Sequence, residues 1–434
     1  MTIPNDKASL RKIFSLQGDK TLWAIFFILT AISLIEVYSA TSTLTFSSGN
    51  IFKPILSHSA NLFIGFVCVW VFHNIPCGWF KFWLPAWIVF VAFLIILPIF
   101  GEKVNDGARW INILGIHFQP SEFAKGSLIV IVAFLLSAYQ TKKGADRHAF
   151  KYILLFTFAT CFLIFLENFS TAAILFFVVF LMMFFGRVPL KQLGKLMLCL
   201  LIGAIAFILL AKALTTETLI EKMPFLHRLD NFVARIDRFT GSDKTQSADT
   251  TKQLQAKDFD IQKEPQVGHA HIAIAKSNIL GCGPGNSRER DFLPQAYSDF
   301  IFAIIIEELG LVGGAVVVLL YIILLFRASR IANRCERNFP AFVILGLAML
   351  IVVQAAVNMS VAVGLVPVTG QPLPLISRGG SSIMVTSIYF GMMISISRFA
   401  KKREDSMPAK AAPAPATAET TPAEPVASEQ LATS

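Results

Sequence analysis

Ten apolar stretches recur along the chain, at roughly 21–40, 55–75, 79–100, 122–139, 151–166, 169–186, 193–213, 300–326, 340–364 and 381–397, with few charges inside them. About twenty such residues in a helix cross a hydrocarbon core roughly 30 Å thick. In lipid, only helices and closed barrels satisfy their own backbone polar groups. The chain is therefore expected to be all-α, a polytopic membrane protein with about ten transmembrane helices. Composition closes off the alternative: only 15% of the residues are charged, against about 25% in soluble domains.

The first apolar run follows a polar segment and has no small-residue cleavage site after it, so it is read as a retained helix. Only Glu167 and Asn168 separate the fifth and sixth runs, which requires a tight hairpin. With the N-terminus inside, the short inner segments hold twenty Lys and Arg residues, and the short outer loops hold four: Lys53, Lys103, Arg109 and Arg378. That asymmetry places both termini in the cytoplasm. It also explains the net charge of +10 without nucleic acid, because the basic residues are scattered over loops. The expected organisation is a cytoplasmic segment 1–20, a membrane domain 21–400 that includes a large extracytoplasmic loop 214–298, and a tail 401–434. The loop contains an amphipathic stretch at 226–239, read as interfacial helix. The tail, rich in Ala, Pro, Thr and Glu, is read as disordered. Six cysteines form no CxxC pair and read as small apolar residues.

Charges inside spans are costly and mark candidate sites. Glu122 and Lys125 stand at i and i+3 near the outer end of the fourth span. They read either as a local ion pair or as the lining of an outward cavity shared with Arg109 and Trp110. Glu307 and Glu308 are two turns into the eighth span; adjacent residues do not share a helix face, so at least one is assigned a structural role. Asp299 precedes the eighth span, where local sequence favours a helix cap. Residues 364–382, GLVPVTGQPLPLISRGGSS, are too rich in Gly and Pro for helix. Irregular backbone at that depth lines a cavity or is covered by protein, so this segment is expected to border the site. His269 and His271 make a lone HAH without a third ligand; they read as solvated loop residues, and no metal site is assigned.

Three long motifs carry a resemblance. GARWINILGIHFQPSEFAK (107–125), LGCGPGNSRERDFLPQAYSDFIFAIIIEELGLVGG (280–314) and GLVPVTGQPLPLISRGGSS (364–382) resemble, in order and topological position, signatures of the SEDS family, the FtsW, RodA and SpoVE group of bacterial cell-wall proteins. The similarity spans about 21–400. The chain departs from the family's pattern at Gln295, Tyr297 and Ser298, where Glu, His and Thr are usual, at Arg378, where Tyr is usual, and at Glu167 to Thr171, which replaces Pro-Asp-Leu-Gly-Thr.

The resemblance implies a peptidoglycan glycosyltransferase that polymerises lipid II at the outer face of the cytoplasmic membrane, with Asp299 as the catalytic acidic residue. It further implies a class B penicillin-binding protein that cross-links the strands as partner, alongside other divisome or elongation-complex membrane proteins. The motifs and tail lean toward the division branch of the family. Arg109, Trp110, Gln119, Glu122, Lys125, Ser377, Gly379, Gly380 and Ser381 are the residues expected to hold substrate. A sugar hydroxyl needs a positioned base, and the departing pyrophosphate needs cations. Arg109 and Lys125 are candidates, and a loosely held divalent ion is the one cofactor this chemistry admits. No second carboxylate presents itself as nucleophile, which favours a single inverting displacement. The rival readings are a lipid II flippase and a scaffold for the transpeptidase.

Overall fold

The computed structural model describes residues 16–40, 52–100, 102–104, 107–113, 116–142, 144–214, 265–293 and 296–404. In chain order its helices are α1 (Lys20–Ala40), α2 (Phe52–Asn74), α3 (Trp83–Phe100), α4 (Pro120–Ala138), α5 (Arg147–Glu167), α6 (Phe169–Phe185), α7 (Leu190–Leu214), α8 (Pro265–Lys276), α9 (Ile301–Ala332), α10 (Asn338–Ala362) and α11 (Gly380–Glu404). All but α8 coincide with the ten expected spans. Among the described residues, eight helices are long and apolar enough to cross a membrane, and Phe169–Phe185 is a shorter apolar one. The chain is a multi-pass membrane protein. The 226–239 stretch and most of the tail lie outside the described residues.

Burial sorts the helices into a core and a lipid-facing ring. The apolar windows of α4 and α11 are 78% and 83% buried, while those of α2 and α3 are 17% buried. Outward apolar side chains such as Phe63, Ile88, Leu155 and Phe158 remain exposed, as expected when the solvent is lipid. At the centre α4 and α11 approach closely at Gly126, where a Cβ would stand 2.5 Å from the Tyr389 ring. The hairpin between α5 and α6 turns on Asn168, whose Oδ1 accepts from Ser170 N at 3.0 Å and Thr171 N at 3.4 Å. Asn168 is the N-cap of α6, standing where the usual motif has Asp, a cap of similar rank.

Two features depart from the sequence reading. Residues 102–118, read as loop, hold a small antiparallel sheet of order β1-β2-β3, with β1 (Glu102–Val104), β2 (Gly107–Ile113) and β3 (Ile116–Phe118). The eighth span, read as one continuous helix, is broken at Gly310 (φ 73°, ψ −175°), a conformation that only glycine adopts readily.

The membrane ends of several helices are tied on one side. Asp19 accepts from Thr21 N at 2.9 Å and Leu22 N at 3.2 Å, so it caps α1. It also accepts from Arg327 Nε of α9 at 2.8 Å, and its own N–H donates to Ser397 Oγ of α11. Arg398 of α11 donates to Asn74 at the end of α2. The start of α1 and the ends of α2, α9 and α11 therefore share one face, as an even number of alternating spans requires.

Candidate active site

On the opposite face, the segment between α10 and α11 closes over the start of α9. Helix α9 takes Phe300 as its N-cap residue, not Asp299. The capping role favoured by local sequence therefore does not fall on Asp299, which is half-buried in the preceding turn. Its Oδ1 accepts from Ser298 Oγ at 2.9 Å, and its Oδ2 lies over the backbone of Gly370. Ser377 Oγ donates to Ser298 O at 2.6 Å and accepts from Leu373 N at 2.7 Å, while Arg378 N donates to Tyr297 O at 2.9 Å. The Arg378 guanidinium lies over the Tyr297 ring. The 364–382 segment, expected to border the site, is irregular only as far as Gly379, since Gly380 to Ser382 already belong to α11, and its irregular part grips residues 297–299 directly.

Glu122 and Lys125 are paired at 2.7 Å and are almost wholly buried. The two side chains do form a local ion pair, and Lys125 reaches further. Lys125 Nζ also donates to Gln354 Oε1 of α10 at 3.3 Å, leaving one of its three donors for another acceptor. Gln354 Nε2 donates to Pro372 O at 3.1 Å. One turn along α10, Asn358 Nδ2 donates to Asp299 O at 2.8 Å and to Gln371 O at 2.7 Å, and Gln371 Nε2 donates to Thr171 Oγ1 at 2.8 Å. Polar contacts therefore link Lys125 on α4 to the backbone carbonyl of Asp299, in the turn before α9, through α10 and residues 371–372 of the last outer segment. Tyr389 OH steadies them by donating to Glu122 O at 2.7 Å.

Gln354 and Asn358 were absent from the sequence candidates. Polar residues at i and i+4 in an apolar run are the signal by which the sequence marks them. Glu36 was missed for a different reason: it is a single acid in the first span. It is fully buried, with neither carboxylate oxygen hydrogen-bonded among the described residues.

The remaining site candidates are placed as follows. Gln119 is the N-cap residue of α4, with no side-chain cap bond. Gly379 precedes α11 and accepts from Ile383 N through its carbonyl at 3.0 Å, and Gly380 and Ser381 open that helix. Arg109 and Trp110 lie in β2, where Trp110 pairs with Glu102. Nearby, Ser33 Oγ donates to Ile376 O at 2.7 Å, so the 2.9 Å contact to His58 Nε2 must be donated by the imidazole. That bond ties α1 and α2 to the same outer segment.

Glu307 and Glu308 both take the structural role assigned to at least one of them. Both engage residues 282–290. Glu307 accepts from Ser287 Oγ, from Arg288 N at 3.1 Å and from Glu289 N at 3.5 Å. Glu308 accepts from Ser39 Oγ of α1, from Gly285 N at 3.0 Å and from Ser287 N at 3.2 Å, with Arg290 at 3.7 Å. The helix break makes this possible. Carbonyls freed at Gly310 accept from Cys282 N and Gly283 N, while Leu311 N and Val312 N donate to Asn278 O and Ile279 O. A segment from the large loop is thereby docked onto α9.

The HAH pair is likewise not solvated loop. Both histidines lie on α8; His269 Nδ1 is 2.8 Å from Glu289, which also accepts from Lys276 at 2.6 Å. Burial pushes the Glu289 carboxyl up, but the bonds from Lys276 and His269 outweigh it and hold that carboxyl below its ordinary range. Among the described residues no three His, Cys, Asp or Glu side chains gather as metal ligands, and all six cysteines are free.

Comparison with known proteins gives consistent matches over nearly the same length. Residues 19–402 match the FtsW/RodA/SpoVE family, described as cell cycle protein. The chain is 29% identical over 392 residues to a probable peptidoglycan glycosyltransferase FtsW of Haemophilus influenzae, covering 87% of this chain and 90% of that one. In fold it is similar to a chain from a peptidoglycan synthase complex described as coordinating polymerization and crosslinking, with TM-score 0.64, 22% identity and coverage of 88% and 98%. It is also similar to the rod shape determining protein RodA of Thermus thermophilus, with TM-score 0.58, 21% identity and coverage of 88% and 97%.

Proposed function

The chain belongs to the FtsW/RodA/SpoVE family of cell cycle proteins, and from that premise we propose that it is a peptidoglycan glycosyltransferase, polymerising lipid II into glycan strands on the outer face of the cytoplasmic membrane during septal wall synthesis. The curated name of the Haemophilus relative supports the activity. The observation that carries the reading is the hydrogen-bonded path from Lys125 through Gln354 and Asn358 to Asp299, which organises one acid and one buried cation around a single outer segment.

In the proposed step, the Asp299 carboxylate takes the proton of an incoming sugar hydroxyl. That oxygen attacks the anomeric carbon of the second substrate, and the bond to the lipid pyrophosphate breaks with inversion. Lys125, held by Glu122, offers its remaining donor to the departing pyrophosphate, with Arg109 of β2 as the second cation. A class B penicillin-binding protein is the proposed partner, in keeping with the fold shared with the synthase complex. Both termini are assigned to the cytoplasm on the asymmetry of Lys and Arg.

Purified protein with its transpeptidase partner should form polymer from lipid II, and Asp299→Asn should form almost none while folding normally. Absence of polymer from the unaltered protein would instead favour a flippase. For orientation, a cysteine placed at Ser247 should react in intact cells with a membrane-impermeant thiol reagent, and one at Ser406 should not.

A further inference from the structure

Two buried polar atoms, on residues that bond or adjoin the backbone around Asp299, have no hydrogen-bond partner among the described residues. Asn358 is 1% exposed, and it gives both amide hydrogens to main-chain carbonyls, those of Asp299 and Gln371. Two carbonyl acceptors fix which end of the amide is nitrogen. Its Oδ1 is buried and has no hydrogen-bond partner among the described residues. Thr369 Oγ1 is a second such atom. It precedes Gly370, whose backbone at φ 66° passes beneath the carboxylate, so that a Cβ there would stand 3.6 Å from Asp299 Oδ2.

A buried amide oxygen or hydroxyl without a partner costs roughly 1–3 kcal/mol. Valine has nearly the shape of threonine without the hydroxyl, so it would avoid the unpartnered atom at 369. The neighbouring polar side chains Gln354, Gln371 and Ser377 are all engaged. The unspent pair therefore has a chemical signature of its own. A carboxamide oxygen only accepts, so it repels phosphate oxygens and requires a donor from the ligand. Sugar hydroxyls and acetamido N–H groups are such donors, and a threonine hydroxyl both donates to and accepts from them.

We infer that Asn358 Oδ1 and Thr369 Oγ1 form a sugar subsite beside Asp299, gripping the ring whose hydroxyl the carboxylate deprotonates. The inference rests on the glycosyltransferase reading and deepens it. Asn358 then acts twice: its nitrogen positions Asp299 and Gln371, and its oxygen meets the sugar.

The test turns on the leftover hydroxyl. Thr369→Val removes an atom that bonds nothing in the fold, so the thermal midpoint in detergent should hold or rise. In lipid II polymerisation it should raise KM about 10-fold with kcat within about twofold, the scale of one lost hydrogen bond. Thr369→Ser, which keeps the hydroxyl, should restore the KM. Asn358→Ser combined with Thr369→Val should cost less than the product of the two separate effects, because both grip one ring. An unchanged KM in Thr369→Val, or independent effects in the double variant, overturns the subsite. Direct binding of lipid II to Asp299→Asn protein, with and without Thr369→Val, separates the two levels. An approximately 10-fold weaker Kd supports the subsite even if no polymer is ever formed, and equal affinities reject it even if Asp299 proves to be the base.

Discussion

Asp299 and the Glu307–Glu308 pair lie within nine residues of one another, yet the start of α9 and its first two turns treat carboxylates in opposite ways. The glutamates are buried and covered by backbone N–H groups, serine hydroxyls and Arg290, all belonging to the docked 285–290 segment or to α1. Asp299 is half-buried; Asn358 holds its backbone carbonyl, and its carboxylate accepts from the Ser298 hydroxyl above Gly370. Carboxylates that saturate main-chain donors hold a fold together, whereas Asp299, whose backbone is also gripped, is the one proposed to do chemistry.

The largest expected effects test that contrast directly. Asp299→Asn should reduce polymerisation by about 10²–10⁴-fold, the usual cost of a lost general base, with little change in thermal midpoint. Glu308→Ala should do the reverse. It strands Gly285 N, Ser287 N and the Ser39 hydroxyl and removes the buried one of the two carboxylates near Arg290, at a cost of about 3–5 kcal/mol in stability. If the aspartate variant unfolds and the glutamate variant merely loses turnover, the contrast is wrong.

Next comes the docked segment itself. A Cβ at Gly310 would meet Ile279 O at 2.2 Å, and one at Gly281 would meet Glu308 O at 2.3 Å. Gly310→Ala should therefore undo the docking, at a cost of at least about 1–3 kcal/mol from backbone strain alone. Limited proteolysis between residues 277 and 293 is the sensitive readout. Cleavage no faster than in the unaltered protein would mean that the segment is held without the helix break.

Much of this arrangement was legible in the sequence, for reasons that separate local from non-local information. The ten spans follow from apolar length, the α5–α6 hairpin from two residues between runs, and the Glu122–Lys125 pair from i,i+3 spacing. The border role of 364–379 follows from Gly and Pro at membrane depth. What was not legible depends on partners distant in sequence. A glycine in an apolar helix gives no sign that residues 278–283 will complete its broken ladder. Nor does adjacency of Glu307 and Glu308 reveal that one loop wraps both. The polar pair on α10 and Glu36 were visible as residues, and only the fold shows what surrounds them.

The ion pair on α4 gives an intermediate effect. Exchanging the charges, Glu122→Lys with Lys125→Glu, preserves an i,i+3 pair but places a carboxylate against Gln354 Oε1, where Lys125 now donates. The double variant should insert and yet lose turnover. Near-normal polymerisation would confine the pair to a structural role and cut the path to Asp299 at its first bond.

The smallest expected effect lies at the other membrane face, where Asp19 joins α1 to Arg327 of α9. Burial pushes the Asp19 carboxyl up, but the Arg327 hydrogen bond and charge, with the Thr21 and Leu22 amides, outweigh it and hold the carboxyl below its ordinary 3.8. A folded value below the unfolded one means the charged form is favoured by folding. The contribution is therefore fully present above the unfolded value and is lost as pH falls through the lower folded value. Asp19→Asn keeps a comparable cap for α1, so it isolates the bond to Arg327. At pH 7 it should cost about 1–2 kcal/mol, because Arg327 is partly exposed and solvent weakens the pair. The gap in thermal midpoint between the two proteins should then narrow as pH falls below about 4 and close only below the lower folded value, where both carry a neutral side chain at position 19. A gap that persists unchanged at low pH would show that the carboxylate's charge does not hold this face, leaving the capping bonds to tie α1 down. Polymerisation at pH 7 should be unaffected in either case, since the tie lies across the membrane from Asp299.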